Sequence, residues 1–164
     1  MSQTINLNTF ENKKAEEYLK SLPDDCIDLN ISSPPYDDLR NYKGGYDLDL
    51  DVIIKELYRV TKPGGICIWV VNDQTKNGSE TLSSFRQAIK FNDAGWRVHD
   101  TMIYKKLNPP PNAGNRYQQC FEYMFVFSKG NPKTTNIELR ERRNKCNDKR
   151  TYRKKKFSRD KDGV

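Results

Sequence analysis

The sequence predicts an α/β fold: a mainly parallel sheet, helices on its faces, and an antiparallel pair at one edge. Three observations carry this. Apolar, strand-like runs at 27–31 and 66–71 alternate with segments of helical periodicity. Between those runs, Leu50, Ile53, Ile54, Leu57 and Val60 recur at i, i+3, i+4, i+7 and i+10, the apolar stripe of a helix lying on a sheet. The last two strand-like segments, 96–106 and 119–128, are joined by a proline-rich loop with no helix, so they should run antiparallel.

Each element has a local reason. Residues 9–20 mix acidic and basic side chains around Ala15 and Leu19, a short surface helix, and Ser21-Leu22-Pro23-Asp24-Asp25 is a turn. Cys26 to Ile31 is a buried strand, and residues 36–47 form a polar, Gly-containing loop. The helix from 48 to 61 stops at Lys62-Pro63-Gly64-Gly65, where proline cannot continue it and glycine permits a reversal. Ile66-Cys67-Ile68-Trp69-Val70-Val71 is apolar without alternation, the signature of a parallel strand covered on both faces. Asn77-Gly78-Ser79 is a turn before a helix over 80–93, with Leu82, Phe85, Ile89 and Phe91 as candidate core contacts. Ala94-Gly95 ends it. Trp96, Val98, Met102 and Tyr104 are available for packing on the next strand, and Phe121, Tyr123, Phe125 and Phe127 alternate along the last.

A chain of 164 residues with 35% hydrophobic residues and a mean hydropathy of -0.94 supports one lean core. No apolar run approaches the roughly 20 residues of a membrane span, and Met1 to Ile5 carries no basic, then apolar, leader, so the expectation is a cytoplasmic protein. Cys26, Cys67, Cys120 and Cys146 show no metal-ligand spacing; free thiols are expected and no metal site. The lone His99 has no catalytic or metal partner in its pattern. Of 29 Lys/Arg and 22 Asp/Glu, 13 and 5 lie at or after Asn131, leaving 16 and 17 before it. A near-neutral body over 1–130 therefore precedes a basic region over 131–164, either a solvated tail or a surface for nucleic-acid phosphates.

At the end of the first strand stands Ser33-Pro34-Pro35-Tyr36. A short hydroxyl acceptor, two prolines that fix the backbone, and an aromatic ring make a compact device for holding a flat base by its amino group. Around it, in order, come Leu22-Pro23-Asp24-Asp25-Cys26-Ile27-Asp28-Leu29, Arg59-Val60-Thr61-Lys62-Pro63-Gly64-Gly65, and Asn108-Pro109-Pro110-Pro111 with Asn115-Arg116. From about Leu22 to Lys129 this set resembles the amino-group DNA methyltransferases, in the subgroup whose catalytic half precedes its cofactor half.

The resemblance implies a partial class I methyltransferase-like (Rossmann-like) sheet of four of the seven strands, S-adenosylmethionine as methyl donor, double-stranded DNA as partner, and a bacterial or phage-infected host cell. It implies that Ser33 and the Pro34 carbonyl accept the hydrogens of an exocyclic amine, that Pro35 helps fix them, and that Tyr36 stacks on a base extruded from the duplex. Serine at the first position leans to cytosine N4 over adenine N6. Arg116 and Arg153-Lys154-Lys155-Lys156 are the candidate DNA-phosphate contacts. The family's Gly-rich strand-turn for the donor's methionine end has no counterpart, so the cofactor residues stay unassigned. The chain is expected to be a catalytic half whose cofactor site comes from a missing C-terminal half or a second subunit. The rival readings are a non-enzymatic DNA-binding half-domain and a methyltransferase acting on RNA or protein.

Overall fold

A computed structural model of the chain describes residues 7–35, 48–109, 111 and 114–134. Two of the sequence calls, Tyr36 and Arg153 to Lys156, lie outside the described residues, as does Cys146. The order is α1 (Ala15–Ser21), β1 (Ile27–Ser32), α2 (Leu50–Val60), β2 (Thr61–Val71), β3 (Thr75–Lys76), β4 (Ser79–Glu80), α3 (Ser83–Asp93), β5 (Arg97–Lys105) and β6 (Phe121–Ser128). The main sheet has the order β1-β2-β6-β5. β1 and β2 are parallel, and β6 runs antiparallel to both β2 and β5. The expected antiparallel pair therefore sits at one edge; β5 is outermost, and the one reversed strand, β6, lies inside it.

The first helix is shorter than its composition predicted, because the 9–14 segment brings no cap or buried side chain to nucleate it; Phe10 is exposed and only Leu19 of α1 is buried. α2 begins where Asp49 accepts from the Val52 N–H at 3.1 Å, an N-cap, and buries Ile53, Ile54, Leu57 and Val60. Arg59 fixes the α1–β1 turn against it, donating to the Leu19 and Leu22 carbonyls at 2.8 and 2.9 Å and pairing with Asp24 and Glu56. The helix ends at Val60, before the proline, and β2 starts at once. Pro63-Gly64-Gly65 bends the start of that strand: Ile27 and Leu29 of β1 face Thr61 and Ile66 of β2, so the intervening β2 residues bulge. Gly64 sits at φ +82°, donates to the Lys129 carbonyl at 2.7 Å, and has no room for a Cβ beside Lys133.

One face of the sheet carries the core. Trp69, Phe91, Trp96 and Phe127 are buried, with Phe91 stacked on Phe127 at 4.1 Å and both indole N–H groups satisfied, by Gln87 (2.7 Å) and the Ile54 carbonyl (3.3 Å). Two expectations fail here. α3 presents Ser84, Gln87 and Phe91 inward, while Leu82, Phe85 and Ile89 stay exposed. The polar line wins because Ser84 answers a buried carboxylate and Gln87 answers the Trp69 indole, partners invisible in the periodicity of the helix. Val98, Met102 and Tyr104 are also exposed, because β5 is an edge strand.

The second face is apolar too. It carries Leu29 and Ile31 (52% and 67% exposed), half-buried Ile66, Ile68 and Val70, then Met124, Val126 and Met102; none of these belongs to the buried core. The β2 run reads as doubly covered, yet the described residues cover one side of it. β1 likewise has a strand partner on one side only among the described residues.

Cys67 lies fully buried in β2, and burial pushes its thiol up to about 12 from 9.0. Because the folded state holds that proton more tightly, this thiol's contribution to stability is constant below about 9 and is lost between about 9 and 12, as the unfolded thiol ionises first. A Cys67→Ala variant should show a shallower fall in denaturant midpoints across that range, by this thiol's share. Cys120 is exposed, not core, and should react with a thiol reagent before Cys67 does.

Candidate active site

The topology brings the predicted motifs to one edge. β1, β2 and β5 all point their carboxyl ends there, and β6 starts there. The edge is therefore built from Ser33-Pro34-Pro35 after β1, Asn72-Asp73-Gln74 after β2, Asn108-Pro109 after β5, and Arg116 to Gln119 ahead of β6. Ligands of open α/β sheets gather outside strand carboxyl ends.

Ser33 is exposed, Pro34 buried and Pro35 half-buried. This anchors the backbone through the first proline while leaving the serine at the surface. Ser32 lies opposite Trp69, so Ser33-Pro34-Pro35 leaves the sheet beside the end of β2.

The β2 exit is ordered by its own polar contacts. Asp73, 5% exposed, accepts from the Ser84 N–H at 2.9 Å and the Ser84 hydroxyl at 2.5 Å, which starts α3. Asp73 thus caps α3 from outside the helix. Asp73→Ala should cost about 1–2 kcal/mol in urea unfolding by stranding the helix N-terminus. Between Asp73 and α3, Thr75-Lys76 and Ser79-Glu80 form a hairpin around Asn77 and Gly78, both at positive φ, the turn that Asn-Gly favours. Asn72, 6% exposed, makes a reciprocal amide pair with Gln119: Gln119 Nε2 donates to Asn72 Oδ1 at 2.7 Å and Asn72 Nδ2 donates to Gln119 Oε1 at 3.3 Å. Gln119 escaped the sequence reading; its only signal is its place just ahead of an edge-starting strand.

Arg116 donates to the Gly78 carbonyl, tying the long loop to the hairpin tip, and Gln118 donates to the Pro109 carbonyl at 3.1 Å. Glu122, at the start of β6, pairs with Lys106 at 2.8 Å. No cluster of three or more His, Cys, Asp or Glu suited to a metal occurs among the described residues.

Five of the described glycines serve the fold and leave no cradle for the methionine end of S-adenosylmethionine. Gly64, Gly65 and Gly95 are closely approached by the chain's own atoms, the last by the Tyr58 ring, while Gly78 is a hairpin tip and Gly130 follows β6.

A sheet of this order, with a Ser-Pro-Pro turn at its carboxyl edge, defines an α/β protein of the methyltransferase type. Residues 27–163 match the DNA methylase family, and the chain belongs to that family of amino-group DNA methyltransferases. It is 58% identical over 122 residues to the orphan methyltransferase M.BamHII of Bacillus amyloliquefaciens, covering 74% of this chain and 45% of that protein. It is 29% identical to the type II beta methyltransferase M.BslI of Bacillus sp. (strain NEB-606), over 77% of this chain and 17% of that one. Among solved structures, the cytosine-N4-specific PvuII DNA methyltransferase superposes with a TM-score of 0.60 at 21% identity, over 74% of this chain and 49% of that chain. The M1.HpyAVI–SAM complex superposes at 0.56 and 24%, over 80% and 60%. These two likenesses establish the fold. The chain spans less than half the length of the two curated relatives named.

Proposed function

We propose that this chain is the catalytic half of a DNA amino-methyltransferase, acting on cytosine N4 in preference to adenine N6. The observation that carries the reading is the exposed Ser33 beside a buried Pro34 at the carboxyl edge of a methyltransferase-type sheet. The amine of a nucleobase is a poor nucleophile because its lone pair is shared with the ring. Ser33 Oγ and the Pro34 carbonyl accept its two hydrogens and draw that lone pair out of conjugation. Both bonds strengthen as the nitrogen gains positive charge, which lowers the barrier. The prolines aim the acceptors in advance.

The methyl group comes from S-adenosylmethionine, whose cradle lies on a complementary polypeptide, either a continuation of this chain or a second subunit. The apolar sheet face and the β1 edge that the described residues leave uncovered support this, because both suit partners of the kind the other half supplies. Residues 131–164 begin a recognition region whose Arg153 to Lys156 hold duplex phosphates, together with Arg116 of the loop before β6.

Tyr36 covers the extruded base. Stacking on an aromatic ring is worth about 1–3 kcal/mol, so Tyr36→Ala should lower kcat/KM by roughly tenfold to a hundredfold, while Tyr36→Phe stays near wild type. Steady-state kinetics on duplex DNA check this; equal damage from both replacements would remove the stacking role.

The reading as a whole is tested by transfer of a labelled methyl group to duplex DNA, by the chain alone and with the C-terminal part of M.BamHII added. Transfer that appears on addition, as N4-methylcytosine, is the expected result. Transfer to RNA or protein in place of DNA overturns it.

A further inference from the structure

The β3–β4 hairpin is held at both ends yet buries nothing. At its base the Thr81 N–H donates to the Gln74 carbonyl at 2.9 Å and the Gln74 N–H donates to the Thr81 hydroxyl at 3.2 Å. Lys76 and Ser79 pair across it, and Asn77 and Gly78 take the positive φ that its turn needs. At the tip, Arg116 donates to the Gly78 carbonyl from the loop before β6. All residues from Thr75 to Glu80 are exposed, and nothing lies within 4 Å of where a Gly78 Cβ would stand. Strand-to-helix connections commonly take about 2–6 residues, and this one spans 72–82. The core does not require the added length.

Its place and charge suggest a use. Sheet strands lie about 4.8 Å apart, so the β2 exit stands one spacing from the β1 exit, and all four exits span about 14 Å. The major groove of DNA alone is about 12 Å wide. A duplex that offers one base to the end of β1 therefore lies over the exits of β2, β5 and β6 as well. The body over 1–130 is balanced in charge, with 16 basic and 17 acidic residues. In the segments 72–82 and 105–120 of this edge, however, the exposed charges are Lys76, Lys105 and Arg116 against Glu80 alone.

We propose that Lys76, carried on the hairpin, and Lys105, at the end of β5, hold backbone phosphates of the duplex, with the hairpin as an arm braced by Arg116. This rests on the proposed function for its partner, DNA. Two residues per strand are too few to run along a groove, so the hairpin serves the backbone and not the base edges. Such contacts fix the register of the duplex and carry no sequence preference. Neither the tetrapeptide nor the family match assigns this role to Lys76 or Lys105.

The test is fluorescence anisotropy of a labelled duplex titrated with the full chain between about 50 and 200 mM salt. Each phosphate contact contributes about 0.9 to the fall of log affinity with log salt. Lys76→Gln and Lys105→Gln should each lower that slope by about 0.9, and the double variant by about 1.8, on duplexes of any sequence. Lys76→Arg keeps the charge and should keep the slope. Both lysines are exposed, so folding is barely touched. Lys20→Gln, in the last turn of α1 on the approach to the amino end of β1, should leave the slope unchanged. Unchanged slopes in the Lys76 and Lys105 variants, or an equal loss from Lys20→Gln, overturn the inference. Methyl transfer with the M.BamHII part added judges the proposed function separately. Transfer to DNA with unchanged slopes overturns the inference alone. Lowered slopes with no transfer overturn the methyl-transfer reading alone. A wild-type chain with neither salt-dependent duplex binding nor transfer overturns both.

Discussion

Ser33→Ala should lower methyl transfer about 10²–10³-fold with little change in denaturant midpoint. Removing one preorganised hydrogen-bond group from a charge-developing centre has that order of effect, and the substituted side chain is exposed, so packing is barely touched. The loss should fall on kcat, because the bond to the amine is strongest after the nitrogen begins to carry charge. Ser33→Asp keeps an acceptor at the same place and should retain more activity than alanine. Single-turnover transfer to duplex DNA separates the chemical step from binding. Alanine and aspartate variants of equal rate would show that the hydroxyl accepts nothing in the reaction.

Phe91→Ala should be the most damaging single change to stability, about 3–5 kcal/mol in urea unfolding. The ring is fully buried, stacks on Phe127 at 4.1 Å, and lies 5.0 and 5.9 Å from the Trp69 and Trp96 rings, so alanine opens a cavity at the centre of the aromatic layer. In a chain with a lean core, that is a large part of the whole stability. Phe91→Leu refills most of the volume and should cost less than half as much. A cost near zero for the alanine variant would mean that the layer is not the core of the folded state.

Much of this was legible in the residues. The β1, α2, β2 and β6 segments follow from apolar spacing alone, since burial of one face imposes a period on each. The tetrapeptide stands at a strand end because proline cannot continue a ladder. The site was less legible where it depends on long-range polar pairing. Asp73 caps α3 across a hairpin, Gln87 sits inside because of an indole on another strand, and Gln119 meets Asn72 from 47 residues away. No local pattern encodes those partners. The exposed Leu82, Phe85 and Ile89 teach the same lesson: a helical stripe identifies an apolar face, but which face turns inward is decided by what the sheet offers. The β2 run gave the converse result, since its continuous apolar character expects two covered faces and the described residues cover one.

A crystal structure of this chain, joined by the complementary half, on duplex DNA tests the central claim most directly. The account predicts one cytosine turned out of the helix, its N4 within hydrogen-bond distance of Ser33 Oγ and the Pro34 carbonyl oxygen. A duplex bound with every base stacked, or with the extruded base held elsewhere and Ser33 closed off by protein packing, would contradict it.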